Sequence, residues 1–121
     1  MLSVRQPWAW FMFAEPPLLP VEVPPKDIEN RTWYTPHRGP ILIHASLQWD
    51  ASAVKWVQQV FGYRQPSFEA RLGGIVGSII VVDCVQSHKS KWFQGPYGFV
   101  LRDPYPLPFE PCSGKLGLWT K

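Results

Sequence analysis

The chain has 121 residues, a formal charge of +3 at pH 7, seven Trp and fourteen Pro. A chain of this size forms one domain over 1–121, which buries roughly two-thirds of its surface without a metal or disulfide staple. The aromatic and proline content excludes a disordered chain and a helical bundle. The small basic excess, with no run of consecutive Lys or Arg, is compatible with a polyanionic partner without requiring one.

Leu2 to Gln6 reads as a short strand. Pro7 then opens a helix, because its missing N–H would be unpaired in a first turn anyway, and Trp8 to Ala14 continue it. Prolines between Glu15 and Pro25 stop that helix and make a long, stiff loop leading to Lys26. Ile28 to Tyr34 has the pattern of a strand, Thr35 to Pro40 of a turn, and Ile41 to Ser46 of a second strand, so the two are expected to form a hairpin-like pair. Asp50 is a candidate N-cap for a helix on which Ala53, Val54, Trp56, Val57, Val60 and Phe61 recur at helical spacing, and Gly62 ends it. Tyr63 to Leu72 reads as an exposed connection.

The β-branched run Ile75 to Val82 has the composition of a central strand covered on both faces. A polar loop, Gln86 to Gln94, leads to a strand at Tyr97 to Leu101, and Lys115 to Trp119 is the expected last strand. Short strands interleaved with two helices, without regular β-α-β spacing, predict an α+β fold: a small mixed sheet closed or half closed into a barrel. Cys84 and Cys112 lack C-x-x-C spacing, Cys84 reading as a small buried hydrophobe and Cys112 as a loop residue. The apolar stretch from Pro7 to Phe13 is too short to cross a bilayer, so a soluble, reduced, cytoplasmic protein is expected, with no membrane association.

Lys26-Asp27-Ile28-Glu29-Asn30-Arg31-Thr32-Trp33 concentrates charge in an otherwise apolar chain. Along an extended strand Glu29, Arg31 and Trp33 share one face, and Ile28, Asn30 and Thr32 the other. Lys26 is out of phase. It joins Glu29 and Arg31 in one pocket only if it sits in the loop before the strand, or at a bulge. There Lys26 would hold a phosphate or polarise a carbonyl, and Arg31 would grip an anion through its planar fork. Glu29 would accept from the amine of a base or serve as a general base. The competing reading is an internal ion cluster whose members neutralise one another.

Arg5 and Gln6 lead into a helix N-terminus, where unpaired N–H groups favour anions, and so extend the candidate site. Trp8 and Trp33 are candidate stacking surfaces for a base, with at most one of the two expected to face a ligand. His44, Ser46 and Asp50 suggest a catalytic triad, but no G-x-S-x-G elbow surrounds Ser46; a hydrogen-bonded His and a helix-capping Asp are the expected roles. His37, His44 and His88 lack paired-ligand spacing, so no metal site is read from them. Arg64, Arg71, Lys89 and Lys91 surround Trp92 and Phe93 as a candidate basic rim.

Taken in order, Ser3-Val4-Arg5-Gln6-Pro7-Trp8-Ala9, the 26–33 motif, Arg38-Gly39-Pro40-Ile41-Leu42-Ile43-His44-Ala45-Ser46 and Tyr97-Gly98-Phe99-Val100-Leu101 resemble the ASCH domain family over nearly the whole chain. The resemblance implies a PUA-like barrel with flanking helices and an RNA-related or nucleotide-related role. Two departures stand out. Pro24 and Pro25 precede Lys26 where the family usually has a Gly. Glu29 occupies the place of a Thr in the family's acetylcytidine amidohydrolase branch, and no carboxylate lies between Asp83 and Asp103 to complete that branch's set, which argues against that activity.

The resulting expectation is an RNA-binding or nucleotide-binding module that uses Arg5, Gln6, Trp8, Lys26, Glu29, Arg31 and Trp33. The alternative is a hydrolase on RNA or a modified nucleoside, either ribonuclease or amidohydrolase, with Lys26 and Glu29 catalytic. No cofactor is expected, apart from a divalent metal if the protein is a ribonuclease. A third reading makes the Pro-rich stretch a protein-interaction segment.

Overall fold

The computed structural model describes residues 1–14, 19, 23–63, 70–115, 117 and 118. Five strands, β1 (Leu2–Gln6), β2 (Ile28–Arg31), β3 (Gly39–Trp49), β4 (Gly74–Val85) and β5 (Tyr97–Pro111), form one mixed sheet in the order β1-β3-β4-β5-β2. Two helices, α1 (Trp8–Phe13) and α2 (Ala51–Phe61), accompany it. β1 runs parallel to β3, and every other pairing is antiparallel.

The α+β reading therefore holds, while the expected hairpin does not form. β2 pairs with β5, from Ile28 opposite Val100 to Arg31 opposite Tyr97, and not with β3. β2 is also shorter than expected, bending at Thr32 and Trp33. β5 is much longer than the expected Tyr97 to Leu101 segment, because β4 offers it a partner along nearly its whole length.

No ladder joins the two outer strands among the described residues, so the expected barrel is an open sheet there. Register shifts between β4 and β5 bend that sheet, since a bulge increases local twist. The bending brings the outer strands within side-chain reach: Arg31 Nη2 on β2 donates to the backbone carbonyl of Ser3 on β1 at 2.5 Å. Of the expected last strand, Leu118 makes an isolated bridge to Leu2, and residues 116 and 119 lie outside the described set. The expected loops over 15–25 and 63–72 also lie largely outside it.

Two buried clusters hold these elements together. One packs Ala9 and Met12 of α1 on the sheet residues Leu2, Val4, Ile41, Ile43, Ile79, Val81, Phe99 and Leu101. The other gathers Phe11, Val23, Ile28 and Val57 around Trp92. Trp92 comes from the expected polar loop, yet it is fully buried against Trp8, Trp56 and Phe61.

Gly77 shows why β4 interrupts its β-branched run. A Cβ there would lie 2.5 Å from the Phe13 ring, so glycine lets α1 sit against the central strand. Asp50 caps α2 through Ser52 N at 3.0 Å, and Gly62 closes the helix at φ 70°, a conformation glycine adopts without strain. Cys84 and Cys112 are free thiols, each half-buried.

Candidate functional site

A cleft of about 1180 Å³ opens beside β1 and the end of β2. Ser3, Arg5 and Trp8 border it from the N-terminal side, Glu29, Arg31 and Trp33 from the motif, and His44 and Asp50 from β3 and the start of α2. The segment after β5 adds Cys112 and Lys115.

Lys26 lies in the extended segment just before β2, which is how it reaches the face of Glu29 and Arg31 in spite of its phase. Its backbone N–H is held by Phe11 O at 2.8 Å. Its ammonium donates to Glu29 Oε1 at 3.1 Å and to the carbonyl of Ile28. It also faces the Trp8 and Trp92 rings at 5.6 and 6.0 Å from their centres, cation–π distances. Burial holds this ammonium below the usual lysine value, against the opposing pull of Glu29. Only 3% of Lys26 is exposed, and it does not border the cleft.

Glu29 is 6% exposed, and both of its oxygens are engaged. Oε1 faces Lys26, while Oε2 accepts from Arg31 Nε at 2.9 Å and lies 2.8 Å from Arg31 Nη2. Arg31 thus ties Glu29 to the Ser3 carbonyl. Its Nη1 makes none of these bonds, so two N–H donors remain on the edge of a guanidinium that borders the cleft. Asn30, on the opposite face of β2, is turned inward: its Oδ1 accepts from Gln94 N and Gly95 N, and its Nδ2 donates to Trp92 O.

The two candidate tryptophans both border the cleft. Trp8 Nε1 donates to Asp50 Oδ2 at 2.8 Å and its ring meets Trp56 edge-on, while Trp33 lies edge-on to Phe99 at 5.2 Å. Both indoles are therefore fixed before any ligand arrives. Burial pushes the Asp50 carboxyl up, but bonds from Ser52 and Trp8, with Arg5 nearby, outweigh this and hold it below the usual carboxylate value. Arg5 is exposed at the cleft.

Gln6 is a correction. It is buried, with Oε1 accepting from Trp10 N at 2.8 Å and Nε2 donating to Arg71 O at 3.0 Å, so it caps α1 instead of facing the cleft. His44, Ser46 and Asp50 form no triad, and His44 and Asp50 take the expected roles of a hydrogen-bonded His and a helix-capping Asp. His44 Nε2 lies 2.7 Å from the Cys112 carbonyl, which can only accept, so this nitrogen carries a proton; in the neutral ring Nδ1 then accepts from Ser3 Oγ at 2.9 Å. Ser46 Oγ accepts from Gln48 N, and Asp50 serves α2 and Trp8.

The basic rim disperses as well. Arg64 is outside the described residues, Arg71 lies over the Phe109 ring at 4.3 Å, Trp92 is buried, and Lys89 and Lys91 do not border the cleft. Among the described residues no three His, Cys, Asp or Glu side chains gather as a metal-binding group. No helix of the described residues is long and apolar enough to cross a membrane.

The residues that sequence reasoning missed are Lys115 and the partnership of Ser3 with His44. A single cation in a Pro- and Gly-rich tail carries no periodic or motif signal. A contact between residues forty-one positions apart is legible only once β1 is known to lie beside β3.

No protein-family model matches the chain. It is similar to activating signal cointegrator 1 of Homo sapiens, at 26% identity over 133 residues that cover 98% of this chain and 21% of that protein. The chain thus spans about a fifth of the length of the relative it matches.

Proposed function

We propose that this chain is a module that binds single-stranded RNA in the cleft beside β1 and β2. The observation that carries the reading is the joint presence there of two fixed indoles and three cations, Arg5, Arg31 and Lys115. Bases stack on indole faces whatever their sequence, and guanidinium and ammonium groups neutralise the phosphates between them. The two carboxylates at the cleft leave a cationic excess, since the Lys26 ammonium offsets Glu29 from below and only Asp50 stands against Arg5, Arg31 and Lys115. The ASCH resemblance of the motifs supports the same reading.

Binding asks none of these groups to change partner. Hydrolysis at the same motif asks Glu29 to take a proton from water, and both of its oxygens are already committed. Arg5 and Arg31 hold the backbone, while Trp8 and Trp33 receive bases; Lys26 acts from beneath by keeping Glu29, and through it Arg31, in place.

The test is anisotropy of a labelled single-stranded RNA titrated at several salt concentrations, with nucleoside monophosphates as competitors. The RNA is also recovered and sized after incubation with magnesium and with a chelator. Binding is expected to weaken linearly in log–log form with salt, at about 0.7 per phosphate contacted. Trp33→Ala is expected to cost about 1–3 kcal/mol of affinity. A wild-type chain that binds no RNA at low salt defeats the proposal, and shortened RNA would replace it with the ribonuclease.

A further inference from the structure

The segment that follows β5 is fastened to the sheet at two places, and Lys115 lies between them. At one end Cys112 N donates to Gly73 O at 3.1 Å, and the Cys112 carbonyl accepts from His44 Nε2 at 2.7 Å. At the other, Leu118 bridges to Leu2 on β1. Gly114 rests directly on the hydrogen-bonded pair of Ser3 and His44. A Cβ at position 114 would lie 2.5 Å from Ser3 Oγ and 2.6 Å from His44 Cε1, so only a residue without a side chain seats this close. The next residue, Lys115, is exposed, borders the cleft and makes no ion pair among the described residues.

We propose that His44 is the residue that positions Lys115 as a phosphate-binding cation of the cleft, a proposal that rests on the RNA-binding reading above and deepens it. The geometry gives each part a role. His44 is 2% exposed and uses both ring nitrogens, one toward β1 and one toward the segment after β5. It therefore sets how far that segment stands from the sheet. Gly114 permits the close approach, and the fixed backbone delivers the lysine stem to the cleft, so less conformational freedom is lost when a phosphate is bound. Ser3 joins the two sides, since its hydroxyl meets His44 and its carbonyl meets Arg31.

The experiment uses the full chain and a short fluorescein-labelled single-stranded RNA, with anisotropy read across a potassium chloride series. Lys115→Ala is expected to weaken binding about three- to fivefold, as for an exposed charge pair, and to lower the log–log salt slope by about 0.7. His44→Gln and Gly114→Ala are each expected to reproduce that loss. Adding Lys115→Ala to either is then expected to cost little more, because the lysine is already displaced. A merely structural His44 would not remove the Lys115 effect, and Gly114→Ala keeps the test valid should His44→Gln fold poorly. An unchanged salt slope in Lys115→Ala, or fully additive losses in the double variants, overturns this proposal while leaving RNA binding intact. A wild-type chain that binds no RNA overturns both.

Discussion

Lys26 and Arg31 hold the two oxygens of one carboxylate, yet their surroundings are opposite. The ammonium of Lys26 lies beneath two indoles, bonded to Glu29 and to a backbone carbonyl, with its side chain 2% exposed. The guanidinium of Arg31 is 21% exposed, spans from Glu29 to Ser3 and keeps an edge toward the cleft. The difference shows that a compact charged motif can divide its labour by depth. One cation compensates the buried carboxylate from below, and the other uses that carboxylate as a brace while presenting free donors.

The sharpest way to break this comparison is Lys26→Ala. Removing it leaves Glu29 buried with one oxygen uncompensated, a loss expected to cost about 3–5 kcal/mol of stability. Urea unfolding reads this as a lower midpoint with an unchanged slope. A variant as stable as the wild type but deficient in RNA binding would place Lys26 in the ligand-facing role and erase the division by depth.

Arg31→Ala is expected to act the other way round. Glu29 keeps Lys26, so the stability loss is about 1–2 kcal/mol, that of hydrogen bonds to a charged group at a partly solvated position. RNA affinity falls on the order of tenfold, with the salt slope lowered by about 0.7 for one lost phosphate contact. Equal effects on stability and affinity in both variants would mean that the motif acts as one inseparable cluster.

Local pattern made much of this legible. Leu2–Gln6, the short apolar helix after Pro7, and the Asp50 to Gly62 helix appear as the spacing predicts, since each is marked by a local pattern in the sequence. The phase of Lys26 left two placements, the loop before the strand or a bulge, and the residue takes the first. What failed was partner choice. β2 is only four residues long, so its own composition says little about whether it pairs with the next strand or with one some seventy positions on. Trp92 was misplaced for a related reason: the loop around it is polar, and only the packing of α1 and α2 makes a buried slot for the indole. Gln6 was legible as a helix-start residue but not as a buried one, because its second partner, Arg71 O, is remote in sequence.

The smallest expected effect tests the depth difference through pH. Burial keeps the folded Lys26 below the ordinary lysine value of 10.5, whereas the unfolded chain returns to it. At pH below the folded value both states carry the proton, and the cost of burying the ammonium is fully present. Between the folded value and 10.5 the unfolded state binds more protons than the folded one, so this group makes stability rise with pH. Tyr63 works in the opposite sense, since burial raises its hydroxyl above 10.0, but it does so equally in a variant that keeps Tyr63. The measurement is therefore the stability difference between the wild type and Lys26→Met, taken by urea unfolding from neutral pH to about 10.5, the ordinary lysine value. The wild type is expected to gain on the variant as pH rises. Parallel curves would mean that Glu29 and the Ile28 carbonyl solvate the ammonium as well as water does, and the contrast with Arg31 would then rest on exposure alone.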